Sequence, residues 1–413
     1  MKEVRPAVAV GGLFVAFGLV IAAFFPFFAL YLRDRGLRVD EIGLVLAAMA
    51  SARVVANPLW GHAADTRLGR RTALQLGAAG AALAALATNL VHGPGAIAVT
   101  SSLLAIFMAA TAPNIDAISL EHLGDDRMSD YGRIRAWESM SYAAACLAFG
   151  AVLQSAGLRW AMPIYAVSSL LVLAWSTTLT RDRPTHVEGR GRLGAVGAVF
   201  REAPRFWGFL AALLLLWTGF NGAWNFIALK ITSEGGGPLL VGMGTALGGL
   251  VEVPVMRSSS TLQRRWGLRR VYVLGCCIYA TGFLLWGLIS NPTIVSFLTV
   301  FEGSAFALLF TTGVVVIGKL LPSSLYSTGN SVAAMVGFGI GPILGAGIGG
   351  FVYEHVGPVA LYSGASALAL GGGVIAWLAL STPELARPFG EAVPEPEPPP
   401  IPGTASPGGS PLG

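Results

Sequence analysis

One apolar stretch follows another along this chain, each about 20 residues long, enough to cross roughly 30 Å of hydrocarbon as a helix. About twelve such spans are read, near 7–32, 41–61, 72–91, 96–120, 133–156, 159–179, 205–230, 239–259, 270–289, 293–318, 325–353 and 358–380. Charged residues make up 12% of the 413 positions and hydrophobic ones 54%. A soluble domain carries about twice that charge share. The expected fold is therefore an all-α membrane protein that crosses the bilayer repeatedly. The first apolar segment, Ala7 to Leu32, is too long for the core of a signal peptide and is read as a retained span.

The formal net charge is +5. In a chain of this kind, loop arginines orient the spans, so the basic balance does not point to nucleic acid. With the N-terminus inside, one face collects Lys2, Arg5, Arg67, Arg70, Arg71, the Arg127–Arg135 cluster, Arg264, Arg265, Arg269, Arg270 and Lys319. The other face keeps Arg33, Arg35, Arg38, Arg159 and Lys230. Both termini are expected in the cytoplasm, and the chain in the cytoplasmic membrane. Cys146, Cys276 and Cys277 fall in apolar runs and read as small fillers, not disulfides or metal ligands.

The longest internal polar segment, RDRPTHVEGRGRLGAVGAVFREAP, divides the chain. The expected organisation is a six-helix bundle over 1–180, a cytoplasmic loop over 181–204, a second six-helix bundle over 205–383 and a Pro/Gly-rich tail over 384–413. The halves read as repeats. EIGLVLAAMA in span two matches LVGMGTALGG in span eight, and the following loops are DTRLGRR and RRWGLRR. Two parallel six-span repeats joined by a basic loop describe a transporter with its site between them, at the midplane.

Span two ends in GHAADTRLGRR, Gly61 to Arg71. Gly61 permits close helix approach, Asp65 can face a neighbouring helix end, and the arginines anchor the surface. The segment resembles the loop signature of the major facilitator superfamily, Gly-x-x-x-Asp followed by Arg/Lys-x-Gly-Arg-Arg. Gly61, Asp65, Gly69, Arg70 and Arg71 take its positions, with one extra residue between Asp65 and Gly69. FFPFFALYLRDRGLRVDEIGLVLA, NIDAISL with YGRIRAW, and GGLVEVP are similar to the branch of phenylpropionate permeases, nucleoside–proton symporters and the lactose permease. The resemblance implies two pseudo-symmetric bundles and transport by alternating access.

Several ionisable residues lie in or beside the apolar runs. A charge at the bilayer centre costs roughly 2.5–3.5 kcal/mol on insertion scales, so such groups should pair or face a water-filled cavity. Arg135 and Glu138 are three apart and share a helix face. Arg53 lies about 12 Å above Gly61 by helical rise. In lactose-permease-like proteins a carboxylate on span four and an arginine on span five grip the substrate. The resemblance assigns those roles to Asp116 and Arg135, with a one-residue difference in spacing. Glu138 stands where relatives carry a small residue, which points to a different substrate or an added protonation site.

In the second half, Glu252 sits deep in span eight and Glu302 within span ten. No histidine is mid-span, so a proton relay would rest on these carboxyls, whose neutral form is favoured away from water. Relatives tend to have an arginine in span nine; this chain has none there. Trp217, Asn221 and Trp224 form one stripe on span seven, and Phe24, Phe28 and Tyr31 a similar one on span one. Such stripes suit a ring-bearing or polyhydroxyl solute, or else helix packing. GFGIGPILGAGIGG in span eleven lies within an apolar run and has no following Lys-Ser/Thr. Small-residue packing and a kink at Pro342 account for it better than a nucleotide loop does.

The expected function is proton-coupled symport of a small polar or aromatic solute: a nucleoside, a sugar or an aromatic acid. Asp116, Arg135, Glu138, Arg53, Trp217, Asn221, Trp224 and Phe28 are the substrate-site candidates, and Glu252 and Glu302 the proton carriers. Gly61, Asp65, Gly69, Arg70 and Arg71 form a gating loop. The expected partners are the solute, protons and lipid, for a monomer with no cofactor beyond the proton gradient. Alternatives are an efflux antiporter of amphipathic compounds and a receptor that binds without moving its ligand. Lack of the Gly-Pro motif of drug antiporters in span five favours uptake. No catalytic triad, metal spacing or phosphate loop points to an enzyme.

Overall fold

The structure is a computed structural model that describes residues 6–123, 131–179, 203–382 and Leu385. The tail, most of the central loop, and Lys2, Arg5 and Arg127 of the predicted basic face lie outside the described residues. Twelve helical spans run as α1 Val8–Asp34, α2 Val39–Leu68, α3 Arg70–Leu90, α4 Pro94–Leu123, α5 Tyr131–Ala156, α6 Leu158–Ser176, α7 Pro204–Ser233, α8 Pro238–Trp266, α9 Leu268–Leu288, α10 Pro292–Leu320, α11 Thr328–His355 and α12 Pro358–Ala379. Each is long and apolar enough to span a bilayer, as the sequence predicts.

Boundaries follow local chemistry. Proline opens α4, α7, α8, α10 and α12, where its missing N–H is not needed and its fixed φ already suits a helix. Glycines with positive φ make several of the turns. Three pairs recur about 200 residues apart: Gly36 and Gly235, Gly69 and Gly267, Gly157 and Gly357. The repeat seen in the sequence is thus a repeat of backbone geometry.

Packing repeats as well. In the first half α1 packs on α5 and α6, α2 on α4, and α3 on α4 and α6. In the second, α7 packs on α11 and α12, α8 on α10, and α9 on α10 and α12. Adding six to each label converts one set into the other. The main seams between halves are α2 with α11 and α5 with α8, which the same operation exchanges.

Small residues allow these contacts. A Cβ on Gly345 of α11 would lie 2.5 Å from the Thr218 carbonyl oxygen of α7, so the glycine run of span eleven is a packing stripe. Where a kink at Pro342 was expected, the helix has a wide turn over Val336–Ile340, and Pro342 sits in the first turn of the helix that follows. Alpha1 is likewise interrupted around Pro26, between Phe24 and Phe28.

Call the face that bears both ends of the twelve-span array the termini face, and the opposite one the far face. Contacts across the seams concentrate towards the far face. There a Cβ on Gly150 would lie 2.8 Å from the Pro238 carbonyl oxygen, and the Val39 N–H donates to Glu354 at 2.9 Å. The Leu239 N–H donates to the Gln154 side-chain carbonyl at 3.2 Å. Towards the termini face, Leu59 of α2, Trp137 and Met140 of α5 and Met335 of α11 are exposed. The halves close on the far side and part towards the termini. Lys230, read from sequence as a cation of the far loops, is buried in the last turn of α7 and paired with Glu234.

Candidate functional site

A cavity of about 390 Å³ lies between the halves. Its walls come from α1, α2, α4 and α5 on one side and α7, α8, α10 and α11 on the other. These two sets are again related by adding six. The space is within the ordinary range for small-molecule sites, about 300–1,000 Å³.

The α7 stripe faces this space. Trp217, Phe220, Asn221, Trp224 and Asn225 all line it. The Asn221 amide N–H donates to the Trp217 carbonyl at 2.8 Å, which leaves the side-chain oxygen free to accept. Trp217 stands edge-on to Phe220 at 5.3 Å and meets Phe338 of α11 at 4.6 Å. Phe220 and Trp224 lie nearly parallel at 6.1 Å. From α1, Phe28 stacks on Phe24 at 4.4 Å, and both line the cavity. Tyr31 does not: it is buried against α3, where its hydroxyl donates to the Thr88 carbonyl.

Three charged side chains reach the same space: Arg53 of α2, Glu252 of α8 and Glu302 of α10. Glu302 is only 5% exposed. Backbone contact between α8 and α10 brings the two glutamates into one region. A Cβ on Gly303 would lie 2.1 Å from the Gly248 carbonyl oxygen. Both carboxyls line the one cavity. Tyr142 of α5 also lines the cavity.

Asp116, Arg135 and Glu138 come together, but not as cavity lining. Arg135 Nη1 lies 3.5 Å from Asp116 Oδ1, and Arg135 Nε lies 3.8 Å from Glu138 Oε2. The Tyr131 hydroxyl donates to Asp116 at 2.8 Å. Their side chains are 51%, 39% and 16% exposed for Arg135, Asp116 and Glu138. Tyr131, Arg135, Glu138 and Tyr142 share one face of α5 at helical spacing, so this face forms a polar ladder. Glu138 is four residues, about 6 Å of rise, from Tyr142 towards the termini face. The network therefore lies on the open side of the cavity.

The signature loop is built as two coupled contacts. Arg70 Nε lies 3.7 Å from Asp65, and Arg70 Nη1 lies 3.5 Å from Glu121 of α4. Arg71 donates to the Leu179 and Thr177 carbonyls beyond the end of α6, at 2.6 and 3.0 Å. The residue in excess of the signature is absorbed by a wide helical turn over Ala64–Leu68. Gly69 follows with φ +77, as Gly267 does in the second half with φ +80. Gly61 corrects the sequence reading: a Cβ there meets nothing within 4 Å, so it mediates no close helix approach in this conformation.

The MFS_1 like family model matches residues 10–363. The chain belongs to this family. It is a transporter of the major facilitator superfamily, and not an enzyme. The maltose permease of Geobacillus stearothermophilus is 29% identical over 363 residues, covering 85% of this chain and 88% of the permease. The uncharacterized transporter YwbF of Bacillus subtilis (strain 168) is 22% identical over 370 residues, covering 87% and 89%. Among solved structures, the nucleoside transporter NupG superposes with a TM-score of 0.78 at 17% identity, covering 91% of this chain and 98% of that one. A D-xylose–proton symporter superposes with a TM-score of 0.65 at 12% identity, covering 91% and 97%. These likenesses establish the shared fold.

Within this family fold, sequence reasoning missed Phe220, Phe306, Phe338, Tyr142 and Thr245 as cavity residues. Tyr142 had a signal, since it continues the helical spacing of Arg135 and Glu138. The phenylalanines had none. An aromatic residue in an apolar span faces lipid, a neighbouring helix or a cavity with the same local sequence.

Proposed function

We propose that this transporter is a proton-coupled symporter that imports a small polar or aromatic solute by alternating access. The observation that carries the reading is the cavity between the halves. It combines aromatic walls, free amide oxygen and two carboxyls, Glu252 and Glu302, and it is sealed towards the far face. Ionisable groups inside a membrane domain mark substrate and proton paths. Relatives named for maltose, nucleosides and D-xylose with protons support a small solute and proton coupling.

The roles divide by position. Arg53, Trp217, Asn221, Trp224 and Phe28 contact the solute, and Glu252 and Glu302 carry the proton. Asp116, Arg135 and Glu138 act at the cavity's open side, as a filter on entry and release. The loop residues Asp65, Gly69, Arg70 and Arg71 tie α2, α3, α4 and the end of α6 together as the halves rock. The termini face is cytoplasmic by its excess of arginine, which makes this the inward-facing state of a protein of the cytoplasmic membrane. The protein works as a monomer of two bundles, 1–180 and 205–383.

The test is uptake into proteoliposomes under an imposed pH gradient. Gradient-driven accumulation of a saturable solute is expected, and it should be lost in Glu302→Gln while exchange without a gradient persists. Full accumulation by Glu302→Gln removes the proton role of that residue. Extrusion of amphipathic compounds against the gradient would replace import by efflux.

A further inference from the structure

The two seams between the halves are closed by the same device, and its two copies differ by one charge. At the α2–α11 seam the Val39 N–H donates to Glu354 at 2.9 Å. At the α5–α8 seam the Leu239 N–H donates to the Gln154 side-chain carbonyl at 3.2 Å. Val39 and Leu239 are 200 positions apart, and so are Gln154 and Glu354. Each acceptor sits in the last turn of its helix, and each donor in the first turn of a helix from the other half. The repeat therefore sets a polar side chain over a helix N-terminus at both seams, a carboxyl at one and an amide at the other.

An N–H in the first turn has no partner within its own helix, and the positive end of the helix dipole favours an anion there. Two neighbouring donors are served from α2 itself: Arg38 N–H by Glu41, and Glu41 N–H by Asp40, both at 2.9 Å. The Val39 N–H is instead served across the seam, so its bond to Glu354 must break when the far face opens. An ionised Glu354 thus favours the shut seam. A protonated one keeps an acceptor oxygen but loses the charge that strengthens the bond. It then resembles the amide that Gln154 already supplies at the other seam. The contribution of Glu354 to closure is present when it is ionised and is lost as pH falls.

The charged groups around Glu354 come from several elements. Arg38, just before α2, attracts Glu354 but is already paired with Asp40 at 2.6 Å. Arg33 of α1 and Glu234, which follows α7 and pairs with Lys230, flank the neighbouring Tyr353. Helix α12 carries no charged residue. His355, next on α11, lies near Asp40. A cation at His355 draws Asp40 across the seam, so acid at His355 works against acid at Glu354. Both side chains belong to exposed residues, which far-side water reaches. At the other seam, the first turn of α8 has no acidic residue, and Arg159 is the charged residue nearest Gln154 along the chain.

We propose that Glu354 is a proton-sensitive latch on the far face. Ionised, it holds the start of α2 against α11. Protonated from the far side, it releases that hold, while the Gln154 amide closes its own seam with the same strength at any pH. Acid outside the cell thereby favours the outward-open state, in which the cavity reloads. This rests on the orientation and the inward-facing state given above. The carboxyl takes its proton from far-side water and returns it there, so the latch carries no charge across the membrane.

The experiment uses the full chain with Cys277→Ser, to remove the exposed native thiol, and His355→Gln, to silence the opposing titration. Spin labels on the exposed pairs Leu44 with Val356 and Ala156 with Met243 read the two seams by pulsed electron resonance. From about pH 7 to about pH 4, where protein carboxyls take up their protons, the ratio of open to shut distances should rise roughly two- to fivefold at both pairs. Reading both pairs separates opening of the halves from a bond broken locally at Val39. Glu354→Gln should show the raised ratio already at neutral pH and lose the acid response. Adding Gln154→Glu to Glu354→Gln moves the charge to the other seam and should restore the response, with gel filtration checking that each variant folds. Distances that ignore acid, a Glu354→Gln protein that still responds, or a transferred charge that restores nothing overturns the latch. No solute or gradient is needed, so the latch and the symporter reading fail separately. Gradient-driven accumulation by a protein whose seams ignore acid keeps that reading and removes the latch. Acid-opened seams in a protein that accumulates nothing keep the latch and remove the symporter.

Discussion

Gly43 of α2 and Gly350 of α11 meet backbone to backbone across the far-face seal. A Cβ on Gly43 would lie 2.9 Å from the Gly350 Cα, and a Cβ on Gly350 would lie 2.8 Å from the Gly43 Cα. No side chain fits at either position while this face is shut. Gly43→Leu should therefore hold the halves apart here. Overpacking of this kind costs about 1–3 kcal/mol, which shifts a two-state equilibrium roughly 5–150-fold. Cysteine labelling near Glu354 from the far side should rise, and transport should fall. Unchanged labelling would mean that the seal is not a moving contact.

The Arg135 network is assembled from partly exposed side chains, so its structural worth should be small. A double-mutant cycle on Asp116→Asn and Arg135→Gln should give a coupling of about 0.2–1 kcal/mol in unfolding. Transport should suffer far more than that from Arg135→Ala alone. A stability loss large enough to explain the transport defect would make the network a structural brace.

Gly69 and Gly267 sit at φ +77 and +80 with ψ +150 and +159. That region is essentially closed to residues with a Cβ and costs of order 1–3 kcal/mol. Alanine at either position should lower the thermal midpoint, and by a similar amount, because both turns do the same job in the two repeats. Thermal unfolding in detergent would show it, and a loss confined to one half would break the symmetry argument.

Phe220 has no polar atom and carried no sequence signal, yet it contacts Trp217 and Trp224 and lines the cavity. Phe220→Ala should weaken solute binding several-fold, as loss of a ring partner worth about 0.5–1.5 kcal/mol predicts. Replacement of the exposed Trp207, near the start of α7, should not. Equilibrium binding followed by fluorescence separates the two.

Much of the architecture could be read before any coordinates. Span count, repeat and the position of the site follow from lengths, glycines and charges, because hydrocarbon thickness and the cost of buried ions leave few options. Arg53, Glu252 and Glu302 were legible as cavity lining because buried ions need water or a partner, while the Trp217–Asn221–Trp224 stripe was legible only as one helix face, which the structure turns to the cavity. Phe306 and Phe338 were not, since nothing local distinguishes an aromatic that meets a solute from one that meets a lipid. Phe338 was doubly hidden: it sits in a wide turn whose presence the sequence does not announce. Gly61 misled because a glycine in a signature invites a packing role, while the space beside it here is open.

The wide turn at Ala64–Leu68 has a consequence for comparing such chains. The turn is the last of α2, so a residue taken up there falls beyond Arg53 and Met49 and leaves their bearings unchanged. The chain then leaves the helix at Gly69 before Arg70 opens α3. An alignment gap at this place marks a change in helical pitch and no displacement of the site.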